Sequence, residues 1–371
     1  MKKGSKSASK NPLFASGKMD ISFFSLVMLF SASFSYAYVH YGNSFHFITK
    51  QALFAVAGVA VMLFVSKFDY HIYKRFAVPI YIVAIIMLVA VYGFAPIANV
   101  HRWITIGPIQ FQPSEIGKLA IIILFAHLIS KNSSSMDKFS FVAVLLGLLF
   151  LVSILVVFET HVSATILILA IGITLIYVGG LSKKLALIGV ITFVGLGIVG
   201  YFILSKYLGY ASTRMVAWLD PWSDPSNAGY QTIQSLLAIG SGGPFGRGLG
   251  QSRLKQLWLP EPHNDFIFSV VCEELGLIGA MVIILIFCAL IWRGFIVAMR
   301  AKDKFGSLLA LGLTFQVGLQ VALNILVVTN TIPNTGISLP FFSYGGTALI
   351  ILLAEMGIVI SVSRSSSIEK P

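Results

Sequence analysis

Charge is scarce in this chain. Only 11% of its 371 residues are Asp, Glu, Lys or Arg, while 57% are hydrophobic; a soluble globular domain carries roughly 25% charged residues. No water-enclosed core absorbs that much apolar side chain, so the surplus faces lipid. Cysteine is scarcer still. Cys272 and Cys288 lie in one apolar stretch, which excludes a disulfide framework and a cysteine-built metal centre. The chain also lacks a P-loop and a dinucleotide glycine fingerprint, a repeat of obvious period and the inverted repeat of many transporters. No small-residue cleavage site follows the first apolar run, so the Lys-rich start reads as a retained tail rather than a signal peptide.

What is present is a series of long apolar runs. A helical span needs about 20 predominantly apolar residues. Such runs predict helices at about 20–38, 49–66, 76–95, 115–130, 139–158, 162–180, 185–205, 265–292, 306–329 and 344–363. The net charge of +12 would suit a nucleic-acid partner, but its placement argues for anionic lipid instead. Of the 26 Lys and Arg, all but Lys50, Arg102, Lys118, Lys206, Arg214, Arg247, Arg253 and Lys255 fall in alternate short connections or in the two tails. That is the positive-inside pattern. The expected fold is therefore an all-α membrane protein of about ten transmembrane helices with both termini cytoplasmic. A tail at 1–19 leads into one polytopic domain at 20–363, followed by a tail at 364–371. A large extracytoplasmic loop, 206–264, joins the seventh and eighth helices. A connection that long is normally functional.

Five constellations could carry chemistry. His101-Arg102-Trp103 runs to Gln112-Pro113-Ser114-Glu115-Ile116-Gly117-Lys118. Pro113 and Ser114 mark a helix start, and Lys118 shares a face with Glu115 three residues back. The pair is either a structural cap or a polar wall for an anionic ligand; ionisable residues inside membranes default to the second. Glu159 and His161 lie between the fifth and sixth helices, as interfacial residues or as ligands. The long loop holds Arg214, Asp220-Pro221-Trp222, Gly229-Tyr230-Gln231 and a glycine-rich run at 240–250 around Arg247. Such a run could cradle phosphate through backbone nests, although it matches no nucleotide motif. Leu259-Pro260-Glu261-Pro262-His263-Asn264-Asp265 runs into a helix bearing Glu273 and Glu274. Asp265 reads either as that helix's N-cap or as a partly desolvated general base. Finally Asn324, then Pro333-Asn334-Thr335-Gly336 and Leu339-Pro340-Phe341-Phe342-Ser343-Tyr344-Gly345-Gly346, form an irregular connection. Within a membrane such backbone must be buried in protein or line a wet cavity.

Taken in order, these blocks resemble the SEDS family (shape, elongation, division and sporulation; RodA/FtsW-like). The resemblance spans essentially the whole chain. Ser31-Ala32-Ser33 and Phe68-Asp69-Tyr70 lean toward its FtsW and sporulation branch. It implies a peptidoglycan glycosyltransferase of the bacterial cytoplasmic membrane that polymerises lipid II during division, elongation or related wall synthesis. The partner it implies is a class B penicillin-binding protein. By position the resemblance makes Asp265 the essential acid and matches the family's basic residues to Arg102 and Lys118. Glu115, Arg214, Arg247, Glu261, His263 and Ser343 complete the candidate substrate contacts. Glu115 is also the candidate ligand of a divalent cation (Mg or Mn), and no organic cofactor is expected. Asn264 replaces the usual Thr. Many members read E/Q-P-D-x-G-T after the fifth helix; here Glu159-Thr160-His161 puts an imidazole where that acid stands. The rival readings are a lipid II flippase and a non-catalytic division scaffold. A flippase needs polar groups through the full membrane depth, whereas most ionisable residues here gather at one face.

Overall fold

The computed structural model describes residues 12–97, 100–107, 109–182, 218–227, 229–256 and 258–365. Among them ten α-helices follow one another: α1 (Pro12–Tyr41), α2 (His46–Val65), α3 (Ile72–Ala90), α4 (Pro113–Lys131), α5 (Phe139–Phe158), α6 (Val162–Val178), α7 (Tyr230–Gly242), α8 (Ile267–Met299), α9 (Lys304–Val328) and α10 (Gly346–Ser365). A two-stranded hairpin, β1 (Ile104–Ile106) and β2 (Ile109–Phe111), precedes α4 and pairs Ile104 with Phe111. The expected helix at 185–205, with Lys206 and Arg214, lies outside the described residues. Each of the other expected helices has its counterpart. Helix α7, inside the long connection, was not expected as a helix. At 13 residues it is too short to span, so a search for long apolar runs passes over it.

Among the described residues, seven helices are long and apolar enough to cross a bilayer: α2, α3, α4, α5, α8, α9 and α10; α6 is apolar but has 17 residues. Burial sorts them. Helices α2, α3 and α5 expose apolar side chains such as Leu53, Val56, Ile86 and Val157, as a lipid-facing surface does. Helix α4 is buried on most sides and packs against α3, α6 and α9, while α10 lies along α2. These central helices also carry the polar residues. Gln316, Gln320 and Asn324 recur every fourth residue of α9, forming a single stripe. All three are buried, as are Lys118 on α4 and Glu355 on α10.

Helix α8 is broken. Gly276 has φ 67° and ψ −171°, and the glycine-rich run fills the gap. The amides of Arg247 and Gly248 donate to the carbonyls of Glu273 and Glu274, and those of Leu277 and Ile278 donate to the carbonyls of Gly243 and Pro244. A Cβ on Gly276 would lie 2.2 Å from the Gly246 nitrogen, so no larger residue fits there. Residues Ile267 to Glu274 are buried, whereas Leu277, Ile278, Met281, Val282 and Leu285 are exposed. The part after the break, rising about 1.5 Å per residue, spans roughly 34 Å, one bilayer crossing. Within it Gly294 packs on Thr314 and Gly318 on Ile291. Continued straight, that antiparallel register would set Ile284 opposite Asn324. Asn324 instead holds the carbonyl of Asp265. The break therefore turns the start of α8 back toward the membrane lip.

The bundle has two distinct ends. One gathers the turns rich in Lys and Arg: Asp303 accepts from Tyr70 at 2.5 Å and from Lys74 at 2.9 Å, Lys304 donates to the Gly179 carbonyl, and Arg364 donates to that of Ser66. This is the basic face. The other end, the site face, gathers the hairpin, the Glu159 turn, α7 and the loops before α8 and α10.

Candidate functional site at the membrane lip

The site face is organised by two irregular loops, 260–266 and 333–345, stitched together by side chains from helices. The Asn324 amide donates to the carbonyls of Asp265 and Ile337, each at 2.7 Å. The Ser343 hydroxyl accepts from the Leu339 amide at 2.7 Å and donates to the Asn264 carbonyl at 2.8 Å. Tyr344 N donates to the His263 carbonyl, and Gln51 closes the seam by accepting from Gly345 N. Ser343 thus positions the loop that carries Asp265. His263 is packing as well: its ring is buried among Tyr36, Phe47 and Tyr344. Burial and, less strongly, His40 push it down to about 4.

Asp265 stands just outside α8, whose N-cap is Phe266, so the capping position is not its own. Its side chain is half-buried, and its Oδ2 lies 3.4 Å from where a Cβ on Gly336 would be. Glycine at 336, with φ 68°, lets the loop pass this close. Burial, and next the like charge of Glu261, push the Asp265 carboxyl up to about 6, with Arg102 pulling the other way. Glu261 itself is exposed, accepts from the Asn264 amide at 2.8 Å and has a strained φ of 44°. Such strain persists only where the surroundings enforce it.

Arg102 enters from the chain before β1. Its Nε donates to the Glu159 carbonyl at 3.2 Å and its Nη2 to the Thr160 carbonyl, gripping a turn in which Thr160 has φ 57°. The Glu159 carboxyl is wholly buried and neither oxygen has a hydrogen-bond partner. Burial pushes it up to about 8 against the pull of Arg102, so it holds its proton at neutral pH. Beside it, His161 Nδ1 lies 3.0 Å from the Gln112 amide and 3.4 Å from the Ser114 hydroxyl. Ser114 therefore faces His161 and does not cap its own helix, which starts at Pro113 with Gln112 in the cap position. One turn deeper, the buried Lys118 ammonium lies 2.9 Å from Glu115 and 3.5 Å from the Gln320 amide oxygen; Gln320 in turn donates to Ser338. Lys118 is 1% exposed. A buried charge is tolerated only when paired.

The donor set at Glu115 does not suit a divalent ion. Its near neighbour is an ammonium, not further oxygen ligands, and no three His, Cys, Asp or Glu converge among the described residues. Nor does the glycine-rich run form a phosphate nest, because the amides of 246, 247 and 248 are all spent on carbonyls. Arg247 belongs to that clasp. Its Nε lies 3.7 Å from Glu273 and 3.3 Å from the Ser241 carbonyl. Glu274 pairs with Lys255 at 2.6 Å and accepts from Ser31 at 2.7 Å, while Glu273 accepts from Ser252 at 2.5 Å. So Asp265, Arg102, Glu261, Glu159 and His161 share one electrostatic neighbourhood, with Glu115 and Lys118 beneath it, while Arg247 serves the break in α8. Gln320 was not singled out in the sequence; its fourfold spacing with Gln316 and Asn324 on an apolar helix was the available signal.

The profile of the FtsW/RodA/SpoVE cell cycle protein family matches residues 14–368. The chain belongs to this family. Stage V sporulation protein E of Bacillus subtilis (strain 168) is 39% identical over 347 residues, covering 92% of this chain and 93% of that protein. The probable peptidoglycan glycosyltransferase FtsW of Geobacter sp. (strain M18) is 38% identical, covering 92% and 93%. The peptidoglycan glycosyltransferase MrdB of Escherichia coli (strain K12) is 37% identical but covers 82% of each chain. That ordering agrees with the lean of Ser31-Ala32-Ser33 and Phe68-Asp69-Tyr70. Among solved structures, a chain of a peptidoglycan synthase complex that coordinates polymerization and crosslinking superposes with a TM-score of 0.81 at 26% identity, covering 97% of this chain and 99% of that one. Thermus thermophilus RodA shares the fold, with a TM-score of 0.70. The SEDS resemblance and the multi-pass helical architecture are both established by these matches.

Proposed function

We propose that this SEDS protein is a peptidoglycan glycosyltransferase that polymerises lipid II, with Asp265 as its general base. The observation that carries the assignment is a half-buried carboxyl held at the membrane lip, pushed up to about 6, within the field of Arg102. The acceptor sugar hydroxyl gives its proton to Asp265 as its oxygen attacks the anomeric carbon of the donor. The bond from that carbon to the diphosphate breaks, and the polyprenyl diphosphate leaves with the electron pair. Arg102 stabilises the leaving charge directly, since charge-assisted hydrogen bonds to phosphate are the strong ones, and Lys118, buried and paired with Glu115, adds its positive field from below. General-base catalysis of this kind contributes about 10²–10⁴-fold.

The site face is extracytoplasmic and both termini are cytoplasmic, because the basic face carries the short Lys- and Arg-rich turns. The membrane is the bacterial cytoplasmic one, where a lipid-linked cell-wall precursor is available. Polyprenyl tails lie along the exposed apolar helices. A class B penicillin-binding protein supplies crosslinking beside this polymerase, as the likeness to one chain of a synthase complex supports. The test is polymerisation of purified lipid II by the full chain with its partner. Wild-type activity lost in Asp265→Ala and Asp265→Asn supports the reading; wild-type rates in both variants would end it. Transport of lipid II across vesicles by an Asp265→Asn variant that cannot polymerise would favour the flippase.

A further inference from the structure

Three groups beside Asp265 have no role in the reaction above: the Glu159 carboxyl, the Thr160 turn and the His161 ring. His161 is the most informative. It sits at the N-cap position of α6 without capping it. Its ring instead turns inward, 8% exposed, against the start of α4. There Nδ1 meets the Gln112 side-chain amide at 3.0 Å and the Ser114 hydroxyl at 3.4 Å. Both partners have a hydrogen to give. A neutral imidazole whose Nδ1 accepts carries its single proton on Nε2, and the bond made by one ring nitrogen decides the state of the other.

The ring is also kept neutral. Burial first, then the charges of Arg102 and Lys118, push His161 down to about 3. Glu159 on the same turn offers no counter-charge while protonated, and Glu115 is spent on Lys118. No acceptor for Nε2 is found among the described residues, and Nε2 is not one of the buried polar atoms left without a partner, as His263 Nδ1 is. The outcome is a donor of fixed tautomer in the field of two cations. Its natural partner is an acceptor, and the field of Arg102 and Lys118 favours an anionic one.

We propose that His161 donates a hydrogen bond from Nε2 to a phosphate oxygen of the lipid diphosphate, its tautomer set by Gln112 and Ser114. This rests on the glycosyltransferase reading and names a further substrate-binding residue within it. A neutral donor here binds the diphosphate without adding a third positive charge that would hold the leaving group after transfer.

The experiment uses the full chain in lipid nanodiscs with ¹⁵N-labelled histidine, and undecaprenyl diphosphate as the probe. In the free protein, His161 is expected to show an unprotonated Nδ1 and a protonated Nε2, with the Nε2 proton resonance moving on addition of the probe. A His161→Phe variant is expected to bind the probe about ten-fold more weakly or worse, the usual worth of a hydrogen bond to a charged group. His161→Gln, which can place an amide N–H near Nε2, is expected to recover most of that loss. In lipid II turnover the Phe variant raises KM more than it lowers kcat. A proton on Nδ1, or Phe-variant binding equal to wild type, overturns the proposal. The two readings fail separately: His161-dependent probe binding in a chain that does not polymerise lipid II sinks the reaction and keeps the donor. Polymerisation indifferent to His161→Phe does the reverse.

Discussion

Two acidic clusters lie near the same end of this molecule, and they are built on opposite terms. Around the break in α8, Glu273 and Glu274 are both fully buried, and every carboxylate oxygen has a donor from Ser31, Ser252, Arg253 or Lys255. Around Asp265, the Glu159 oxygens and the Asn324 amide oxygen have none, and three residues, Thr160, Glu261 and Phe341, sit at positive φ. Satisfied polar groups rigidify a fold, whereas unsatisfied buried ones are costly and kept only where something else uses them. The first cluster is architecture. The second, with polar groups left unsatisfied, has the character expected of the proposed site.

The sharpest break of that contrast is Asp265→Asn. It is expected to remove about 10²–10⁴-fold of turnover with the melting temperature unchanged, measured by lipid II polymerisation and thermal unfolding on one preparation. Glu274→Leu should do the opposite. It leaves the Lys255 ammonium buried without its partner, at about 3–5 kcal/mol, so the melting temperature drops and activity falls only with the folded fraction. A Glu274→Leu protein that melts like wild type would show that the clasp is not structural.

Proton chemistry separates the clusters further. A base must be deprotonated to act, and Asp265 is pushed up to about 6, so activity is expected to fall as pH drops through about 6. Glu261→Gln removes a like charge and should move that limb to lower pH; Arg102→Gln should move it higher. Limbs that stay put in both variants would remove Asp265 from the profile. A smaller effect concerns Glu159. Its folded carboxyl keeps its proton to about 8, whereas an unfolded Glu ionises near 4.3. The unfolded chain therefore loses that proton first, and the group's contribution to stability declines as pH rises through that window. Glu159→Gln should flatten the decline relative to wild type in a melting series. Smallest is Tyr70→Phe on the basic face, which loses one hydrogen bond to Asp303. It should cost about 1 kcal/mol and leave polymerisation unaffected.

Long apolar runs and the positions of Lys and Arg were sufficient to predict nine of the ten described helices, all but α7, because lipid permits few solutions for a backbone that must satisfy its own hydrogen bonds. Asp265, Arg102 and Lys118 were also visible, as charged groups beside spans that otherwise exclude charge. Other roles were not legible there. Arg247 and the glycine-rich run look like a phosphate cradle in one dimension, yet their amides serve the broken ends of α8. Ser114 looks like a helix cap and instead bonds to His161. A periodic pattern records which face of one helix is apolar, but not which carbonyl on another segment will consume a donor. The sequence alone thus determined a membrane bundle with a basic face at one end and its candidate site acids near the other. Which acid has its oxygens satisfied and which does not was decided by contacts between residues as far apart as Ser31 and Glu274 or Asn324 and Asp265, because only packing assigns each buried polar group a partner or denies it one.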